Sequence, residues 1–123
     1  NLRVKECDRV AACCNALNEL KAGLAEEMGD DLVVHGDPGL AGKSSPARIE
    51  TCSDHRIAMA FALAGLLMPG VTILNPGCVA KTYPRFWDDL ESLGVALAPD
   101  GTLYFQRPAP ADQLPQTLTP LFC

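Results

Sequence analysis

Several things missing from this chain of 123 residues narrow its function before any motif is read. No apolar stretch reaches the roughly 20 residues that a helix needs to cross a bilayer. Residues Ile57–Met68 come nearest and stop at Pro69-Gly70. Basic residues are outnumbered, ten Lys and Arg against fifteen Asp and Glu, for a net charge of −5. A general nucleic-acid binder carries the opposite sign, so neither nucleic acid nor membrane is an expected partner. The six cysteines (Cys7, Cys13, Cys14, Cys52, Cys78 and Cys123) form no C-x-x-C pair. His35 and His55 lack zinc-site spacing from them. Reduced, structural thiols are expected, which suits the cytosol or an organelle stroma. An initiator Met and a signal peptide are also lacking, so the chain, opening at Asn1, reads as a piece of something longer.

What is present is enough for a core. Hydrophobic residues make up 48% of the chain, too many for disorder. Val10, Cys13, Cys14, Leu17 and Leu20 follow the spacing of an amphipathic helix that Gly23 stops. Leu24–Glu27 and Leu32–His35 flank Met28-Gly29-Asp30-Asp31, which predicts a hairpin. Residues 36–46 are rich in Gly, Ser and Pro and predict a loop. Ala47–Thr51 reads as a strand leading to Ser53-Asp54, a capping pair for a helix over His55–Met68. That helix is apolar nearly all round and is expected to be buried. A buried strand at Val71–Leu74 and a turn at Asn75-Pro76-Gly77 follow. A third helix is expected over Pro84–Leu93, then a hairpin of Val95–Leu97 and Thr102–Gln106 around Pro99-Asp100-Gly101. The fold class is α+β with an α/β-like alternation, over a partial domain 1–106 and a Pro-rich tail 107–123.

The basic residues are oddly placed. Helix N-termini favour acidic side chains in their first turn. Here Lys5 and Arg9 stand at the start of the first helix, His55 and Arg56 open the second, and Lys81 precedes the third. Such cations oppose the helix dipole unless an anion lies between them, in which case backbone N–H groups and side chains aim at one charge. One small, highly anionic ligand is the reading this favours, against separate solvated surface charges. Glu6 can pair with Arg9 at i, i+3, or act as a general acid/base tuned by the neighbouring cations.

Other patterns fail on spacing. Gly42-Lys43-Ser44 has the ending of a phosphate-binding loop, but Asp37 replaces its first glycine and Pro46 interrupts the helix that must follow. Glu26, Glu27, Asp30 and Asp31 lack calcium-loop spacing and are expected on a solvated turn. Asp88, Asp89 and Glu91 are expected on the wet side of the third helix, opposite Phe86, Leu90 and Leu93.

Three strings carry a resemblance: Asn1-Leu2-Arg3-Val4-Lys5-Glu6-Cys7-Asp8-Arg9, Asp54-His55-Arg56-Ile57-Ala58-Met59, and Asn75-Pro76-Gly77-Cys78-Val79-Ala80-Lys81-Thr82-Tyr83-Pro84. In this order they resemble the C-terminal part of the EPSP synthase (3-phosphoshikimate 1-carboxyvinyltransferase) family, over roughly residues 1–97. The resemblance implies two domains built from βαβαββ repeats that close over the substrates. It implies transfer of enolpyruvyl from phosphoenolpyruvate to shikimate 3-phosphate by addition–elimination, with no metal or organic cofactor. On that resemblance Asn1 and Lys5 contact shikimate 3-phosphate. Arg9, Arg56 and Lys81 hold phosphoenolpyruvate, and Glu6, Lys5 and His55 are the catalytic set.

The departures are Cys7, where the family more often has Ser or Thr, and Cys52-Ser53, in place of an aromatic and an acidic or amide residue. The family's principal proton-accepting Asp and its whole first domain lie upstream of such a segment. The missing N-terminal domain is thus an implied partner, and the 123-residue chain alone is expected to give no turnover. Bacterial members work in the cytoplasm and plant members in plastids. Two alternatives stay open: the related UDP-N-acetylglucosamine enolpyruvyl transferase, and a non-catalytic anion-binding or regulatory module.

Overall fold

Capping and turn chemistry set the element boundaries in the computed structural model, which describes residues 2–5, 7–40, 42 and 46–105. After a 3-10 turn at Leu2–Val4, Asp8 adopts an extended backbone and its carboxylate accepts the Ala11 N–H at 3.1 Å. This satisfies one of the orphan donors of helix α1, Arg9–Leu20. Strands β1 (Ala25–Met28) and β2 (Asp31–Val34) pair antiparallel with Met28 opposite Asp31. Only Gly29 and Asp30 remain for the loop, and Gly29 takes the positive φ of +63° that a two-residue hairpin turn needs. The Asn18 side chain clamps the hairpin to α1, accepting the Ala25 N–H at 2.9 Å and donating to the Ala25 carbonyl at 3.0 Å.

Strand β3 (Ala47–Ile49), helix α2 (His55–Leu67) and strand β4 (Val71–Ile73) form a parallel β-α-β unit, with Ala47 opposite Val71 and Ile49 opposite Ile73. β3 ends two residues earlier than the apolar run predicts. Cys52 and Ser53 both take positive φ, 53° and 54°, and turn the chain into α2. A 3-10 helix, Pro76–Lys81, follows β4 where only a turn was expected. Helix α3 covers Phe86–Ser92, two residues shorter at its start than predicted, with Arg85 as its N-cap. Strands β5 (Val95–Leu97) and β6 (Leu103–Phe105) then pair antiparallel. A bridge between Thr72 and Thr102 joins this hairpin to β4.

The core lies where α1 and α2 cover β3 and β4. Ala47, Ile49, Val71 and Ile73 are fully buried, packed with Ala16, Phe61 and Leu66. Small residues, Ala12 and Ala16, let α1 approach β3. The expectation that α2 is buried all round fails. Leu63 and Leu67 are 54% and 39% exposed, on the same side as exposed Arg56 and Ala60. The buried side of α2, with Ile57, Ala58, Phe61, Ala62 and Leu66, packs on α1, β4 and the segment after β4. Among the described residues no helix is long and apolar enough to cross a membrane. The Pro-rich segment 107–123, Gln106 and Cys123 lie outside the described residues.

Candidate functional site

Asp54 is bonded to one sequence-marked cation, Arg9, and caps the helix that opens with His55 and Arg56. Its side chain is fully buried, and as N-cap of α2 its Oδ1 accepts the Arg56 N–H at 2.9 Å. Its Oδ2 accepts the Arg9 Nε–H at 2.7 Å and the Cys7 thiol at 3.4 Å. Burial by itself raises the Asp54 pKa. The Arg9 guanidinium, the Arg56 N–H and the Cys7 thiol outweigh that and hold it at about 2. The same contact acts oppositely on the thiol: burial, and then the hydrogen bond to Asp54, push Cys7 up to about 12. Cys7 is therefore a neutral donor, not a nucleophile.

This ion pair joins the first turns of α1 and α2. It puts the Arg9 side chain, 14% exposed, against the residue that precedes His55 and Arg56. The anion foreseen between basic helix starts is thus partly internal, since Asp54 already occupies that place for Arg9. His55 is 2% exposed, and its Nδ1 is buried with no hydrogen-bond partner among the described residues. Leaving such a group unpaired costs about 1–3 kcal/mol, a cost that structures carry mainly at sites of function or bound water. Arg56 and Lys5 are exposed, and neither makes a hydrogen bond or ion pair from its side chain to another described residue.

The segment bearing Lys81 is tied to the same place through the loops. Thr51, fully buried, donates from Oγ1 to the Leu74 carbonyl at 2.9 Å. The Asn75 amide donates to Ser53 Oγ at 2.9 Å, and the Cys78 thiol lies 3.8 Å from Thr51 Oγ1. Trp87 Nε1 donates to the Pro76 carbonyl at 2.8 Å, so α3 braces the 3-10 helix from its far side. Cys52, Ser53 and Asn75, all non-glycine residues at φ of 51–54°, meet at this junction. Strain of that kind, about 1–3 kcal/mol per residue, persists where surrounding contacts over-determine the backbone.

Two sequence expectations are corrected. Lys81 precedes the third helix but does not flank its start. It is the last residue of the 3-10 helix, where a cation suits the negative end of the peptide dipoles, and α3 begins at Phe86 with Asp88 and Asp89 in its first turn. Lys5 likewise lies in a bend before α1 and not within it. Asn1 and Glu6, with the expected Glu6–Arg9 pair, lie outside the described residues.

Two residues were missed. Sequence spacing gives Asp54 a capping role and a place in a motif, and gives Arg3 a place in a motif without a role. The Arg3 guanidinium bonds the Asp8 carboxylate at 2.9 and 3.1 Å, Asp30 Oδ1 at 2.9 Å and the Gly29 carbonyl at 2.6 Å, with Glu27 Oε1 at 3.0 Å. The acidic turn is accordingly not just solvated: Glu27 and Asp30 face Arg3, and Glu26 lies 3.1 Å from His35 Nε2. An unusually dense acidic run beside one arginine-bearing motif was the available signal. The five described cysteines are free thiols; Cys14 is buried but Cys52 is exposed, so burial does not hold for all of them. Among the described residues no three His, Cys, Asp or Glu side chains gather as metal ligands.

Comparison with known proteins supplies the family. Residues 1–90 match EPSP synthase (3-phosphoshikimate 1-carboxyvinyltransferase). The 3-phosphoshikimate 1-carboxyvinyltransferase of Rhizobium etli (strain CIAT 652) is 61% identical over 95 residues, which are 77% of this chain and 23% of that protein. The protein of the same name from Pseudomonas syringae pv. tomato is 61% identical over 97 residues, 79% of this chain and 23% of its own length. That of Clostridium perfringens (strain 13 / Type A) is 44% identical over 97 residues, 78% of this chain and 22% of its own. The chain belongs to the EPSP synthase family. It spans just under a quarter of the length of these relatives.

Proposed function

We propose that this chain is part of an enzyme that transfers the enolpyruvyl group of phosphoenolpyruvate to the 5-hydroxyl of shikimate 3-phosphate. The hydroxyl oxygen gives up its proton and bonds to C2 of the enol while C3 takes a proton. Loss of a proton from C3 and cleavage of the C2–O bond to phosphate then restore the double bond and release phosphate. In this reading Arg9, Arg56 and Lys81 hold the phosphate and carboxylate of phosphoenolpyruvate, a task to which the guanidinium fork is suited. Asn1 and Lys5 contact shikimate 3-phosphate, Glu6 moves a proton, and His55 offers its buried, unpaired nitrogen to the same pocket. Cations there stabilise charge as it shifts in the transition state. The remainder of the enzyme is the partner that completes the site, and no metal or organic cofactor takes part.

The observation that carries this reading is the Arg9–Asp54 pair, because it draws the starts of α1 and α2 together beside an unpartnered buried His55. The family relationship and the order of elements from β3 to β6 (β-α-β-α-β-β) support the finer architecture, a partial domain over 1–106 built on that repeat, with 107–123 as a separate tail. The bacterial relatives support the cytoplasm as its location. The test is calorimetric. Arg56→Ala and Lys81→Ala each remove a charge-assisted contact and should weaken phosphoenolpyruvate binding by about tenfold or more. Unchanged affinity in both variants would overturn the assignment.

A further inference from the structure

Lys5 has no described side chain holding it, yet the segment that carries it is anchored from both sides by its neighbour but one. Arg3 reaches across 26 or 27 positions of sequence to Gly29 and Asp30 in the β1–β2 turn, and across five to Asp8. Asp8 is the N-cap of α1. The next residue, Arg9, is bonded to Asp54, the N-cap of α2. One line of charged contacts therefore runs from the hairpin turn, through Arg3 and Asp8, to the helix starts at the candidate site. We propose that Arg3 is a positioning residue: by fastening the 3-10 turn Leu2–Val4 and the α1 cap Asp8 to the β1–β2 turn it fixes where Lys5 presents its ammonium to an anionic ligand. The hairpin, which contributes no site residue of its own, is then the strut on which that part of the site rests.

The geometry favours this over a merely solvated arginine. A planar guanidinium that spends its donors on a carboxylate pair, a carboxylate and a carbonyl from two different elements can hold both in one orientation. A lysine at the same place keeps the charge but loses the fork. The proposal rests on the reading of Lys5 as a ligand contact, and two measurements separate the two claims. In 15N relaxation of the 123-residue chain, the Val4 and Lys5 amides should be as ordered as those of α2. In Arg3→Met their order parameters should drop below about 0.6 while α2 keeps its own, and Arg3→Lys should not rescue them. Because Arg3→Met removes the cap contact as well, the pair Glu27→Gln, Asp30→Asn serves as the second variant. It neutralises the two charged hairpin anchors, leaves the Gly29 carbonyl and Asp8 contacts in place, and should loosen Val4 and Lys5 in the same direction by a smaller amount. Unchanged order in both variants overturns the proposal.

The second measurement is affinity for shikimate 3-phosphate. Lys5→Ala should weaken it about tenfold in the parent, whereas in the Arg3→Met background the same substitution should change it less than twofold. Equal effects in both backgrounds overturn the positioning role. No effect of Lys5→Ala in the parent removes Lys5 as a contact instead, and the relaxation result still decides whether Arg3 holds the segment.

Discussion

One carboxylate, Asp54, both caps α2 and neutralises Arg9, and the two tasks can be separated by substitution. Asparagine is as good an N-cap as aspartate, so Asp54→Asn keeps the bond to the Arg56 N–H, while the charge and the oxygen that accepts Arg9 and Cys7 are lost. Removing one member of a buried ion pair leaves the other uncompensated, and chemical denaturation should show a loss of about 3 kcal/mol. Asp54→Ala removes the cap too and should cost about 1 kcal/mol more. Equal losses would mean that the cap contributes nothing. The pH dependence follows from the sign of the shift. Asp54 titrates at about 2 when folded, below its ordinary 3.8, so the native state binds fewer protons than the unfolded state between these values. Its stabilising effect is complete above about pH 4 and is lost as pH falls towards 2. Asp54→Asn should therefore show a shallower decline of stability across that window than the parent.

At the scale of elements, the sheet depends on a close approach that sequence patterning does not display. Gly101 sits at φ +91°, and a Cβ there would lie 2.2 Å from the Ile73 carbonyl oxygen, which belongs to β4. The Ile73 N–H in turn donates to the Gly101 carbonyl at 2.7 Å. Gly101→Ala thus meets both an unfavourable backbone region and a clash with backbone that cannot move aside. A thermal or denaturant measurement should show destabilisation of at least about 2 kcal/mol. Alanine at Gly29, which also has positive φ but open space around its Cβ, should cost less, about 1 kcal/mol. Element types were legible in sequence here because capping residues and turn glycines punctuate them: Asp8, Asp54, Gly29 and Gly101 all stand where the chain changes direction. The 3-10 helix Pro76–Lys81 was not legible, since six residues give no periodicity to read.

For the molecule as a whole, the side of α2 that bears Leu63 and Leu67 is the feature that the described residues leave open. Two exposed leucines one turn apart, on a helix whose other side is buried, favour association in water. Replacing both by lysine should change the unfolding free energy by less than about 1 kcal/mol, because neither side chain belongs to the buried core and the lysine stems still cover the apolar surface beneath. Light scattering should at the same time show less concentration-dependent association than the parent. A large loss of stability would instead show that these side chains are packed in solution.

Sequence by itself determined the local pieces and the chemistry they advertise. Helix and strand positions followed from apolar spacing and caps, and three basic motifs in series marked a site for a small anion and a family. These are properties of neighbours along the chain, where a few residues fix the backbone or the charge. Only the tertiary structure decided which charges meet. It matched Arg9 with Asp54 across 45 positions, gave Arg3 the acidic turn as its anchor, and left the His55 Nδ1 buried and unpaired among the described residues. It also set Lys81, expected just before the third helix, at the end of a 3-10 helix of its own. Pairing of that kind depends on how α1, α2 and the hairpin pack, and periodicity within any one segment carries no information about the partner across the core.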